Sequence, residues 1–389
     1  MTTAVHSDAR TIAIKTKADA AGFVLNDRAV WLLHNVVTAP GAAHLDDDQA
    51  ALFSRSLEQQ ITGILEAPKP ELPLASSDEL LPSNMLDAGA TTYRYYLQDM
   101  QGEWAYGAGG GGDDVPTASV SGAEITGKLQ IAYGAFGHTE EDLRNWSFAN
   151  RGSLPQMLQK GSLRGKMQLH DQTLAWGKES LGLRGLCNFP GSTLLTAADN
   201  GGGSTDWMDK TIDQIVTDIA ALLDSIEDAT NTTRQATMVW MSRRTMRFLQ
   251  RRRIVDTVTG GTTTFWEYLQ KVFVSGGQVP NGPPLPAPEN PVQFRWVRYM
   301  DGTNERSEVN GVPQLPIVNG NRTDSLLAYI HNNPDIVAKD VTPLTNGKFL
   351  PPLRVGVTTV TTGEAKWGGI RCPEPVTIAR MDGVFGNPA

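Results

Sequence analysis

Cysteine is scarce in this chain of 389 residues: Cys187 and Cys372 stand far apart, and neither belongs to a CxxC pair. That pattern supports neither a disulfide framework nor a zinc site, and it suits a reducing compartment. Long apolar runs are missing as well. No stretch of about 18 consecutive apolar residues occurs, and the start Met1-Thr-Thr-Ala-Val-His-Ser-Asp8 lacks a basic n-region and an apolar h-region. Neither a membrane span nor secretion is expected. Positive charge is in deficit, with 34 Lys and Arg against 42 Asp and Glu, for a net charge of -8. A protein that coats nucleic acid by neutralising phosphates needs the opposite balance. The signatures of catalysis are lacking too. His6, His34, His44, His138, His170 and His331 are scattered without an HExxH spacing, and no GxSxG elbow or GxxxxGK[ST] loop occurs. No catalytic, cofactor or metal residue is therefore assigned, and the chain is expected not to be an enzyme.

What is plentiful is loop-forming residues. The 39 glycines and 23 prolines make up about 16% of the chain, against about 12% in average usage. At this length the chain is expected to form several lobes rather than one core. Residues up to Pro73 hold short amphipathic pieces around Trp31 and Phe53, interrupted by Pro40, Pro68 and Pro70. Such pieces bury little by themselves, so either a neighbouring subunit or the rest of the chain must hold them. From Thr91 to Phe136 the pattern is that of a hairpin: one arm runs from Thr91 to Trp104, the other from Ala118 to Tyr133, and aromatic and β-branched residues recur along both. Its tip, Gly107 to Pro116, contains a literal GxGxxG. Two acidic residues and a proline follow the glycines where a phosphate cradle needs a helix, so nucleotide binding is not expected.

Thr139 and Asp142 form a capping pair that starts a helix at Glu140, and Gly152, Pro155, Gly161 and Gly165 are expected to bend or break it before about Ser180. Gly182 to Ser204 reads as a loop. Asp206 is then expected to cap the clearest helix, whose apolar stripe runs through Ile212, Ile215, Ile219, Leu222 and Ile226. Thr237 to Met241 reads as a buried strand, followed by a basic helix that puts Arg244, Arg247 and Arg251 on one face. That face suits salt bridges across a subunit contact, contact with nucleic acid, or plain solvation. Strands are expected near 293–299, 325–330, 336–339, 353–362 and 376–380.

The run Tyr133-Gly-Ala-Phe-Gly-His-Thr-Glu-Glu-Asp142, the helix after it, and the stretch Leu181-Gly-Leu-Arg-Gly-Leu-Cys-Asn-Phe-Pro-Gly191 resemble the core of tailed bacteriophage major capsid proteins with the HK97-like fold. The stretch 181–191 is similar to the GLxGLLNxPG segment of such proteins. The resemblance implies an α+β capsid fold. Residues 1–90 would be an N-terminal arm and 91–136 an extended E-loop. Residues 137–230 would be a peripheral domain with a long spine helix, a G-loop over 181–204 and a second helix. An axial domain would follow over 231–340, with peripheral return strands over 341–389.

It also implies self-assembly into pentamers and hexamers of an icosahedral or prolate head that encloses double-stranded DNA without reading its sequence. Portal, scaffolding and decoration proteins would be partners, with assembly in the bacterial host cytoplasm and the virion as destination. An encapsulin-like compartment is the alternative shell, and an unrecognised soluble enzyme or a tail component are the remaining ones. Residues 102–127 hold no lysine, which argues against Lys to Asn crosslinks at the E-loop and for non-covalent or decoration-based stabilisation. Candidate subunit contacts are Trp31 and Phe53 in the arm, Tyr95, Trp104, Tyr106, Asp113 and Asp114 in the E-loop, and Arg244, Arg247 and Arg251 on the basic helix.

Overall fold

The computed structural model describes residues 71–101, 118–148, 153–255, 261–277, 286, 288, 290–302, 308–309, 312–313, 317–318 and 321–386. In chain order the strand β1 (Ser83–Met85) precedes a ribbon of β2 (Thr92–Gln101) and β3 (Ser119–Lys128). Then come β4 (Gln130–Thr139), α1 (Glu140–Phe148), α2 (Leu154–Trp176), β5 (Thr193–Thr196) and α3 (Ile212–Ala229). The middle of the chain gives β6 (Met238–Met241), α4 (Arg243–Arg251), α5 (Phe265–Gln270) and β7 (Gln293–Trp296). The last part gives β8 (Asn321–Tyr329), β9 (Ala338–Val341), β10 (Lys348–Phe349), β11 (Leu353–Val355), β12 (Thr358–Arg371) and β13 (Ile378–Gly386).

Two sheets organise these elements. In the first, β12 pairs along its length with β4, from Thr358 opposite Thr139 to Trp367 opposite Gln130, and also with β9, β10 and β11, while β1 adds to β9. In the second, the order is β7, β6, β8, β13, β5, with parallel pairs at both edges. The strands β6 and β8 carry unbroken apolar runs because both faces of this sheet are covered. Alternation splits them between two cores. Met238, Trp240, Leu327 and Tyr329 face one side with Trp176, Leu186 and Tyr299. Val239, Met241, Leu326 and Ala328 face the other, against Trp207, Leu249, Phe265 and the stripe Ile215, Ile219, Leu222 and Ile226 of α3.

Local boundaries differ from the sequence expectation at four places. The cap of α3 is Thr211, not Asp206: its side chain accepts from the Gln214 amide while Gln214 reaches back, a complete capping box. The Asp206 carboxylate is occupied instead by the amides of Met208 and Gly386. Gly161 and Gly165 do not break α2, which runs through both from Leu154 to Trp176 with Pro155 in its first turn. The arm expected from Ala118 to Tyr133 is two strands, since β3 ends at Lys128 and β4 belongs to the first sheet. Within the expected loop from Gly182 to Ser204, Thr193–Thr196 is instead the strand β5, paired in parallel with β13.

Two contacts fix the position of the described start of the chain. The carboxylate of Asp171 on α2 accepts from the amides of Leu74 and Ala75, at 2.8 and 3.0 Å, and from Tyr299 Oη at 2.7 Å and Arg298 Nη2 at 3.0 Å. Lys339 Nζ donates to the carbonyls of Leu74 and Ser77. The segment 181–191 is equally well fixed. Leu183, Leu186, Cys187 and Phe189 point into core, and a Cβ at Gly185 would stand 2.2 Å from the backbone of Trp176 and Gly177. Only glycine lets this loop lie against the end of α2.

Candidate assembly surface

The ribbon β2–β3 is built by pairing from Thr92 opposite Lys128 to Gln101 opposite Ser119. Side chains alternate between its faces. On one face Tyr93 and Tyr95 are half-buried and stack with ring centroids 6.3 Å apart. Tyr93 stands opposite Gly127, and a Cβ on that glycine would lie 2.0 Å from the ring, so glycine is what lets the tyrosine cover the partner strand. Burial and the nearby Asp340 carboxylate of β9 hold the Tyr93 phenol far above its ordinary range. Asp340 is buried and itself raised by burial, and it accepts from Asn84 Nδ2 at 2.9 Å. The root of the ribbon thus sits on the body around a cavity of about 490 Å³ lined by Tyr93, Tyr95, Lys128, Trp176 and Arg184.

Beyond the root the same ribbon is bare. Tyr96 is 69% exposed, Met100 76% and Val120 67%, and Met100 faces Val120 directly across the ladder. Neither outer edge of the ribbon pairs with another strand among the described residues. A two-stranded ribbon is at best marginal alone, and open edges beside apolar side chains invite another chain. The ion pair of Arg94 with Glu124, 3.0 Å and solvent-exposed, adds little.

Helix α1 is a second such surface. Thr139 Oγ1 accepts from the Asp142 amide at 3.1 Å, and the Asp142 carboxylate accepts from the Thr139 hydroxyl at 2.7 Å and amide at 2.9 Å. The hydroxyl bond is the first cause of Asp142's lowered pKa. Yet α1 buries none of its residues, and Phe148 at its end is 95% exposed. Nine residues are too few for a helix to persist on propensity alone, which isolated peptides reach only at about 12 to 15.

The third surface is α4. Ser242 caps it by accepting from the Thr245 amide at 2.9 Å, which places its arginines. Arg244 turns inward, donating to the Gly386 carbonyl at 2.5 Å and stacking 4.4 Å over the Phe385 ring. Arg243, Arg247 and Arg251 are exposed. Arg252 donates to the carbonyls of Trp207 and Lys210, at 3.3 and 2.6 Å, and so holds the end of α4 against the start of α3.

Of the candidate contact residues, Trp31, Phe53, Trp104, Tyr106, Asp113 and Asp114 lie outside the described residues. Tyr95 is at the half-buried root of the ribbon, while Arg247 and Arg251 are exposed on α4 in the lobe of the second sheet. Sequence reasoning did not single out Tyr96, Met100, Val120 or Phe148. Period-two alternation was the available signal for the first three: Tyr96 and Met100 share a face of β2 opposite to Tyr93 and Tyr95.

Comparison with known proteins completes the picture. The family model for the major capsid protein matches residues 103–277. The capsid of Myoviridae phage XM1 superposes with a TM-score of 0.64 at 15% identity, over 85% of this chain and 98% of that one. The Mycobacterium phage Ogopogo structure gives a TM-score of 0.52 at 11% identity, over 85% and 98% of the two chains. The Microbacterium phage Oxtober96 structure gives 0.51 at 12% identity, over 87% and 99%. No curated protein matches the sequence.

Proposed function

We propose that this chain, which has the HK97-like fold and matches the major capsid protein family model over residues 103–277, is a capsid protein that closes into pentamers and hexamers forming a bacteriophage head around double-stranded DNA. The observation that carries the proposal is the ribbon β2–β3, anchored at its root and bare over the rest. Laid on a neighbour, its apolar face and its edges become a joint, and many modest contacts repeated by closed symmetry give a strong shell from individually reversible steps.

In this reading residues 1–90 form the arm, and the ribbon with its tip is the E-loop. The helix α2 is the spine of a peripheral domain spanning 137–230 and the return strands 341–389, and residues 231–340 form the axial domain. The only lysine at the foot of the ribbon, Lys128, packs its side chain on Gly182. This supports late stabilisation by non-covalent contacts or decoration proteins. Scaffolding and portal proteins would complete the assembly in the host cytoplasm.

Sedimentation velocity with negative-stain imaging tests the proposal on the full chain and on a variant in which residues 98–122 are replaced by Asn-Gly. That replacement is chosen because Leu97 and Ala123 face each other in the ladder and Asn-Gly closes a two-residue turn. The full chain is expected as rings or shells, and the shortened one as a folded monomer, since among the described residues none of the deleted part belongs to either core. A full chain that remains a compact monomer with the other virion proteins supplied overturns the reading.

A further inference from the structure

Helix α3 ends in Asp224, Glu227 and Asp228, at the pole where the helix dipole is already negative, and no basic residue lies in its last turn. Burial and mutual repulsion raise the pKa of Asp224 and Glu227. Helix α4 carries the opposite charge. Arg243, Arg247 and Arg251 are exposed, its first turn has no acidic residue, and among the described residues none of the three makes an ion pair. Asp206 and Asp209, next in the chain to the Trp207 and Lys210 carbonyls that Arg252 holds, are already engaged. Asp206 accepts from the Met208 and Gly386 amides, and Asp209 accepts from the Ser204 hydroxyl.

Among the described residues no ion pair joins the two patches within one chain. Arg252 fixes α4 at the start of α3, whereas the acidic group is at its end. Asp224, Glu227 and Asp228 lie about 18 to 24 Å along α3 from its start, roughly two to three Debye lengths at physiological salt. Two complementary patches set apart on one subunit suit a head-to-tail contact, in which each copy turns one patch to each of its two neighbours.

We propose that the outward face of α4 docks on the C-terminal end of α3 of the next copy in the ring, with Arg247 and Arg251 meeting Asp224, Glu227 and Asp228. The proposal rests on the capsid reading above and names the charged part of its subunit joint. Guanidinium forks suit the role because they can grip carboxylates in bidentate fashion. Each exposed pair contributes little, but one set recurs at every joint, and complementary charge mainly speeds and orients encounter. Ring formation is therefore expected to slow steeply as salt rises.

The test compares the wild-type chain, an Arg247→Glu/Arg251→Glu variant, an Asp224→Lys/Glu227→Lys/Asp228→Lys variant, and the chain carrying all five changes. Thermal unfolding of each serves as the check on folding, and ring formation is followed by light scattering and sedimentation. Each single-patch reversal is expected to cut the assembly rate at least tenfold with an unchanged unfolding midpoint, and the five-fold variant to recover it. Mixing the two single-patch variants in equal amounts should restore rings of even number and not of odd number, because each joint then needs one copy of each kind. Reversals that assemble at the wild-type rate, or a folded five-fold variant that stays apart, overturn the pairing and leave the capsid reading standing. A wild-type chain that forms no rings takes both down.

Discussion

Asp324 is a residue whose charge the fold disfavours. It is fully buried, and its carboxylate accepts from Ser242 Oγ, from Thr245 Oγ1 at 3.2 Å and from the Gly302 amide at 3.0 Å. Burial is the largest influence and drives its pKa up to about 6, with Asp301 adding to the rise and the Ser242 bond opposing it. The folded protein therefore holds this proton more tightly than the unfolded chain, so stability at this site increases as pH falls from about 7 to 4 and is lost as pH rises through about 6. The linked change is on the order of 2 to 3 kcal/mol. Asp324→Asn should flatten that part of the pH profile, read as the difference between unfolding midpoints at acidic and neutral pH in variant and wild type; an unchanged slope refutes it. Asp171 is the contrasting case, a carboxylate whose partners need it. Asp171→Ala leaves the amides of Leu74 and Ala75, the Tyr299 hydroxyl and the Arg298 guanidinium without their acceptor. A loss of roughly 3 to 5 kcal/mol is expected in denaturant unfolding, with segment 71–77 becoming the first to exchange its amide hydrogens. A loss below about 1 kcal/mol, within the range of an ordinary surface change, would contradict that account.

Elements follow propensity only as far as their neighbours allow. Gly161 and Gly165 lie in the interior of α2, and nothing lies within 4 Å of the Cβ that each would carry as alanine. Gly161→Ala/Gly165→Ala should therefore stabilise the unassembled chain by about 0.5 to 1 kcal/mol per site, a rise of a few degrees in the unfolding midpoint. A lower midpoint would mean that the glycines serve the chain's own packing. The stripe of α3, the capping pair at Thr139 and Asp142 and the buried runs of β6 and β8 were legible from the sequence, because each is set by residues adjacent in the chain. The continuity of α2 was not, since contacts distant in sequence hold it straight, among them the Lys166 ammonium on the Thr345 carbonyl at 2.8 Å. The cap at Thr211 was missed for a related reason: Asp206 is the better capping residue by type, but the Gly386 amide across the chain claims it. The basic face of α4 was visible as spacing, whereas the inward turn of Arg244 depends on Phe385 and Gly386, far along the chain. The bare face of the ribbon could be read as alternation, but alternation does not say which face the chain's own body covers.

For the whole molecule, charge sets what the wall can do to the polymer it is proposed to enclose. A net charge of -8 repels a duplex on average, while the exposed arginines on α4 form a local attraction. If those arginines are spent on subunit joints, the purified protein should not retain a linear duplex in a mobility-shift experiment at about 150 mM salt, where a phosphate-coating protein still binds in the micromolar range. Retention that falls with a steep slope in log salt, and that disappears in Arg247→Glu/Arg251→Glu, would instead assign the arginines to phosphate. The two roles make opposite demands on the same side chains. An arginine buried in a joint is shielded from the duplex, and one that faces the duplex cannot hold the neighbouring subunit. Measuring retention before and after ring formation separates them: joint arginines lose whatever weak affinity they have at low salt once rings close, whereas arginines facing the duplex gain affinity as the ring multiplies the contacts.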